Sequence, residues 1–208
     1  MEAAPHSIER RRFRWRGAIA GVVLLPAAAV ALFSQPIVPP RSFIHVAIVS
    51  LAWTAFLAGA GFRFWAMAYV GGRKERELVT EGPYSLCRHP LYLGSLLLGL
   101  SAGLFIESPL FVLGIVAVAF IYVRTTIAVE EAVLVARHGA AHERYTRTVP
   151  CLVPHSRRVV TPPQITVDVY RMWLECLRAS RWMWLPLLGT IFGHLRALVW
   201  WPRLFRGL

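Results

Sequence analysis

Four uncharged apolar runs constrain this chain more than any other feature. Residues 17–34 and 42–61 contain no Asp, Glu, Lys or Arg, and neither do 90–106 and 108–123, which only Glu107 separates. Each approaches the ~20 residues that cross a bilayer as a helix. With 56% hydrophobic and 16% charged residues, and a mean hydropathy of +0.51, the composition lies outside the soluble range. In hydrocarbon every backbone N–H and C=O must be satisfied within the protein, so helices are expected to carry the runs. The expected fold is all-α: a polytopic membrane helix bundle of four to five transmembrane helices, with a helical hairpin.

The net charge of +12 is placed as membrane topology requires, not as a nucleic-acid surface. Basic residues gather in 10–16, 63–76 and 137–158, whereas Arg41 is the only cation of the connection 35–42. That alternation predicts a multi-pass membrane protein with its N-terminus in the cytoplasm and no nucleic-acid partner, and the Ala-, Arg- and Val-rich usage points to a bacterial inner membrane. A basic stretch, an apolar run and Ala29-Val30-Ala31 resemble a cleavable signal. Later spans need an anchor of this orientation, so the segment is read as the first span. Cys87, Cys151 and Cys176 show no metal or disulfide spacing. Gly139 separates His138 from His142, and His155 stands apart, so no metal site is expected.

The chain divides into residues 1–77, carrying the first two spans; 78–160, a core with the hairpin; and 161–208, an interfacial tail. The second span starts near Phe43 and runs to Val70, with Arg63 snorkelling and Gly71-Gly72 ending it. Pro90 and Pro109 each suit the first turn of a helix, and Ser108 stands where an N-cap belongs. The fourth helix continues through Glu130 and Glu131 to Gly139. Val167, Tyr170, Leu174 and Leu177 alternate at helical spacing with Asp168, Arg171, Glu175 and Arg178, which reads as a helix on the membrane surface. Residues 182–193 are a short span or re-entrant segment, interrupted by His194 and Arg196. Tryptophans 173, 182, 184, 200 and 201 suit an interfacial belt.

Two polar groups break the apolar pattern. Pro90 leaves the amides of Leu91, Tyr92 and Leu93 free at the positive end of a helix, where Arg88 adds charge and His89 can turn its ring inward. Arg124, Glu131 and His138 fall at intervals of seven on one stripe, with Glu130 pointing elsewhere. Packed together, the two groups would enclose a zwitterion. A snorkelling Arg88 with a capping His89, and a plain Arg124–Glu131 pair, are the structural alternatives.

These residues also carry a resemblance. Gly82, Pro83, Tyr84, Arg88, His89, Pro90, Tyr92 and Gly94 are followed, after a hairpin, by Glu130, Glu131 and Leu134, then Gly139, Tyr145, Val149, Pro150 and Pro154. Order and spacing over 78–154 resemble the isoprenylcysteine carboxyl methyltransferase and phospholipid methyltransferase superfamily. The resemblance implies a membrane methyltransferase that uses S-adenosylmethionine and a lipid or lipophilic acceptor. It implies that His89, Pro90, Leu91 and Tyr92 surround the cofactor's methionine end, and that Glu131, Tyr145, Val149 and Pro150 complete the pocket. Tyr84 and Arg88 of the first motif and His138 of the second are expected in the same wall. Arg124 would position an anionic acceptor, and Glu130, Glu131 or His138 would deprotonate an amine. His138 and His142 stand where the family often has aromatics, so the pocket edge differs. Membrane sterol reductases share the hairpin and use a nicotinamide cofactor but carry about twice as many spans. A non-catalytic scaffold or sensor is the remaining alternative.

Overall fold

The computed structural model describes residues 20–35, 37–40, 42–71, 73, 77–154 and 159–205. The start of the first span, the basic stretch 10–16, Arg41, Gly72, residues 74–76 and His155 lie outside them. Helices make up the described chain, and an isolated bridge between Ser34 and Phe205 is its β-type pairing.

Helix α1 spans Ala20–Leu32 and α2 spans Phe43–Val70. Ser42 caps α2 by accepting from the His45 amide, and Gly71 closes it onto the Met67 carbonyl. At 1.5 Å per residue its 28 residues reach about 42 Å, more than the ~30 Å hydrocarbon layer. A 3-10 turn, Gly82–Ser85, precedes α3, Pro90–Ile106. Glu107 in left-handed geometry (φ 53°) makes the hairpin turn, and Ser108 caps α4, Pro109–Tyr122, by accepting from the Phe111 amide at 3.3 Å. Helix α4 runs through a π-helical turn, Val123–Ile127, into α5, Ala128–His138, which Gly139 ends. Then come α6, Ala140–Thr148; α7, Val169–Trp182; and α8, Trp184–Ala197.

Helices α2 and α3 pack most extensively. Two glycines allow it: a Cβ on Gly59 would lie 2.8 Å from the Gly94 carbonyl oxygen, and one on Gly94 would lie 2.7 Å from that of Gly59. Close backbone approach through small residues is how helices associate where lipid removes the hydrophobic drive. Val22, Leu25, Phe43, Leu57, Leu113 and Phe120 are exposed on several helices. An apolar surface of that extent suits a bilayer.

The tail departs from the sequence reading in three ways. Helix α7 is amphipathic, but its charged face turns toward the bundle while Val169, Tyr170 and Trp173 face out. Arg63 does not snorkel; Nε and Nη2 reach Glu175 Oε1 at 2.8 and 2.7 Å, and its guanidinium lies 4.7 Å from the Trp182 ring centre. Nor do His194 and Arg196 interrupt α8. Arg196 is buried, donating to the Ile106 carbonyl at 2.8 Å and the Ser34 carbonyl at 3.2 Å. The pair α7–α8 therefore runs the height of the bundle, from beside Gly71 to the hairpin end. Of the tryptophans, Trp201 stacks on Phe33 and donates to the Leu32 carbonyl, whereas Trp173, Trp184 and Trp200 are exposed.

Candidate functional site

The site forms where the start of α3 meets α5 and α6. Gly82 has φ 58°, and a Cβ there would fall 2.5 Å from the Tyr69 ring, so the turn leading into the motif requires glycine. Ser85 fixes the turn by donating to the Gly82 carbonyl and accepting from the Val160 amide. Beyond it, the Arg88 amide donates to the Pro150 carbonyl at 2.9 Å and the His89 amide to the Cys151 carbonyl at 3.1 Å. Those two bonds join the motifs along their backbones, each linking residues 62 positions apart in sequence.

Side chains complete the joint. Arg88 donates from Nε to Glu131 Oε1 at 2.9 Å, and from Nη1 to the Val149 carbonyl at 2.9 Å and the Thr146 carbonyl at 3.2 Å. It therefore caps the last carbonyls of α6, where a cation is favoured. The His89 Nε2 lies 2.7 Å from the same Glu131 oxygen, and the fully buried His142 places Nε2 3.4 Å from Oε2. Tyr145 donates its hydroxyl to the Tyr84 carbonyl at 2.6 Å. Burial pushes the Tyr84 phenol well above its ordinary range, with Glu130 adding to the effect. Burial likewise raises Tyr145, so both phenols stay protonated donors at neutral pH.

A cavity of about 600 Å³ opens beside this joint. One end carries the polar groups, Arg63, Tyr84, Arg88, His89, Glu130, Tyr145, Arg171 and Arg178, set among Met67, Val70, Leu78, Val79 and Leu134. The other is apolar, between Leu24 of α1, Leu96 and Gly99 of α3, and Ile115, Val118 and Ala119 of α4. Pro90, Leu91 and Tyr92 line the passage between the two, with Tyr92 between the rings of His89 (5.7 Å) and Tyr122 (6.4 Å).

The residues singled out in the sequence separate into wall and frame. Tyr84, Arg88, His89, Pro90, Leu91, Tyr92, Glu130 and Tyr145 line the cavity. Glu131, Val149 and Pro150 stand behind the wall and hold Arg88 and His89 in place. His138 stays outside the lining, its Nε2 buried with no partner among the described residues. The Arg124–Glu131–His138 stripe does not form, because the π-turn adds about a residue per turn between Arg124 and Glu131. Arg124 is exposed and lies 5.0 Å from the Phe120 ring centre. Among the described residues the His89 side chain makes no capping bond, and its carbonyl takes the Tyr92 and Leu93 amides, so of the three amides only that of Leu91 is left without a partner there. Arg63, Ser95, Tyr122, Arg171 and Arg178 are wall residues that the sequence reading did not assign to the site. A charge inside an apolar run marks Arg63, but no local spacing points to its partner Glu175, 112 positions away.

His89, Glu131 and Cys151 offer ligand atoms within 4.8 Å of one another. The Arg88 guanidinium already occupies Glu131 Oε1, where it would repel a metal ion. Burial also pushes the Cys151 thiol up, away from the thiolate a metal would take.

Comparison with known proteins adds three findings. A family model described as phospholipid methyltransferase matches residues 43–141. The nickel-cobalt-cadmium resistance protein NccN of Alcaligenes xylosoxydans xylosoxydans is 30% identical over 152 residues, 73% of this chain and 70% of that protein. The cobalt-zinc-cadmium resistance protein CzcN of Cupriavidus metallidurans is 40% identical over 92 residues, 44% of this chain and 42% of that protein. No solved structure matches. The relatives are named for resistance to metals, whereas the matched model covers both sides of the His89–Glu131 contact, and on these grounds the chain belongs to the phospholipid methyltransferase family.

Proposed function

We propose that this chain is a multi-pass membrane methyltransferase that uses S-adenosylmethionine from the cytoplasmic side and methylates a lipophilic acceptor. The observation that carries the reading is a single cavity with two chemistries. Its polar end is built from both motifs, and its apolar end opens among the three helices α1, α3 and α4. Its volume lies within the ~300–1,000 Å³ usual for small-molecule sites.

The donor set fits such a cofactor. The Leu91 amide at the start of α3 suits a carboxylate, and the protonated phenols of Tyr84 and Tyr145 offer neutral polar contacts. The rings of Tyr92 and Tyr122 present π-faces to a cation. When bound, the cofactor supplies a methyl group already activated on a sulfonium. The protein's task is then to hold the acceptor in line and exclude water. Leu91, Tyr92 and Tyr122 line the cavity beside the start of α3 and would shield the reacting groups from water. Glu130 faces the cavity and is the carboxylate placed to take a proton from an amine acceptor, while Glu131 stays committed to Arg88 and His89. A carboxylate acceptor needs no base, being ionised at neutral pH.

Incubating the purified full chain with methyl-labelled S-adenosylmethionine and a total lipid extract tests the reading. Label is expected in an extractable lipid band. Absence of cofactor binding in every detergent and lipid tried would instead favour a scaffold with the same fold. The relatives' names add a growth assay: a deletion strain scored on nickel, cobalt and cadmium shows whether methyl transfer here serves metal resistance.

A further inference from the structure

Helix α7 lies beyond the residues matched by the family model, yet it forms one wall of the cavity. Its orientation is the reverse of a soluble amphipathic helix, which buries its apolar face. Here Tyr170 is 70% exposed, whereas Glu175 is fully buried. A buried carboxylate is tolerated only when paired and hydrogen-bonded. Glu175 is held by Arg63 at 2.7 Å and by Arg178 Nη1 at 3.0 Å, and Arg63 is itself bonded to Ser95 on α3. This anchor fixes the rotation of α7. Residues four before and three after Glu175 share its face, so Arg171 and Arg178 both arrive at the cavity, about half exposed.

The charges on this wall do not cancel. Arg63, Arg171 and Arg178 face Glu175 and the Asp168 carboxylate, which lies 3.6 Å from Arg171. Glu77, also in the lining, lies 3.6 Å from Arg73, and Glu130 belongs to α5 on another side. Arg171 and Arg178 stand seven residues apart, about 10 Å along the helix. That spacing suits a head group with its own volume, and the apolar end of the cavity lies beyond it for the tail.

We propose that Arg171 and Arg178, set by the Arg63–Glu175 anchor, bind the anionic head group of a lipid acceptor and so determine which lipid is methylated. The proposal rests on the methyltransferase reading and names the substrate class of the same site. Arg124, exposed on the π-turn, lies outside the cavity lining.

The test measures energy transfer from protein tryptophans to tail-labelled lysophosphatidic acid and to tail-labelled lysophosphatidylcholine, with the full chain in a neutral detergent. The wild type is expected to prefer the anionic probe by roughly tenfold, the scale of one or two charge-assisted hydrogen bonds. R171Q/R178Q should erase the preference, R171K/R178K should keep most of it, and calorimetric binding of S-adenosylmethionine should be unchanged in both. If the double glutamine variant fails to fold, R171Q alone carries the test, since it disturbs only the exposed pair with Asp168. Equal binding of the two probes by wild type overturns the proposal. So does an unchanged preference in the glutamine variants, or a loss of cofactor binding there, which would assign the arginines to the cofactor. A wild type that prefers the anionic probe but never binds S-adenosylmethionine keeps the anion wall and removes the enzyme reading.

Discussion

Glu131 shows what single residues do in this protein and how far they can be read in advance. It is a hub: Arg88, His89 and His142 all converge on its two oxygens. Glu131→Gln leaves the guanidinium of a mostly buried Arg88 without its counter-charge. Breaking one partner of a buried pair costs about 3 kcal/mol or more, so a lower unfolding midpoint should accompany weaker cofactor binding. His89→Ala keeps the Arg88–Glu131 pair and removes a wall residue together with its own contact to Glu131. It should weaken S-adenosylmethionine binding at least about tenfold with a smaller change in thermal unfolding. Calorimetry and thermal scans on the two variants separate frame from wall, and equal binding by His89→Ala and wild type would misplace the cofactor. Tyr145→Phe is gentler. It removes one buried hydrogen bond to the Tyr84 carbonyl, for about 1 kcal/mol, read as a small fall in thermal midpoint. Motif residues were legible in the sequence because their spacing survives as a pattern. Their division of labour was not, because whether Glu130 or Glu131 faces the cavity depends on a helical register that the π-turn resets. The run Val123–Ile127 carries no glycine, proline or cap to mark that turn.

At the level of elements, the bounds of α2, α3, α4 and α5 follow from residues that physically stop or start helices. Ser42, Pro90, Ser108 and Gly139 each sit where their backbone or side chain requires. The tail was harder, because Arg196 looks like an interruption when it is a buried cap on other elements' carbonyls. The α2–α3 contact was equally invisible, since Gly59 and Gly94 read as ordinary small residues of apolar runs. The contact is testable: a Cβ on Gly94 would meet the Arg63 Cγ at 2.6 Å as well as the Gly59 carbonyl oxygen. Gly94→Ala should therefore push the helices apart, disturb the Arg63–Glu175 anchor and destabilise by about 1–3 kcal/mol. Gly61→Ala, two residues from Gly59 but with open space around its Cβ, should instead be neutral or stabilising by up to about 1 kcal/mol. Size-exclusion profiles and thermal scans of the two alanine variants distinguish a tight helix contact from a general sensitivity of α2 and α3.

For the whole molecule, the decisive quantity is the number of crossings. On the topology proposed from charge placement, the N-terminus and the polar end of the cavity lie on the cytoplasmic side. On that topology α1, α2, α3 and α4–α5 would make four passes and return the chain to the cavity end. Helix α7 then begins beside Gly71 at that end, and α8 finishes against Ile106 and Ser34 at the hairpin end. Trp201 and Phe205 dock on the far end of α1, through the Leu32 carbonyl and the bridge to Ser34. We propose that the pair α7–α8 is a fifth pass with a break at Met183, which would place residue 205 on the side opposite the polar end of the cavity. A surface-lying tail would leave that end in the cytoplasm. Fusing alkaline phosphatase, active only outside the cytoplasm, after residue 205 should give active enzyme, and a green fluorescent protein fused there should stay dark. Fusions after residue 161, before α7, should report the reverse. A dark phosphatase and a bright fluorescent protein at 205 would return α7 to the membrane surface. The Arg171–Arg178 wall would then lose the inward-facing setting that Glu175 gives it, so the topology of one helix and the chemistry of the acceptor site stand on the same measurement.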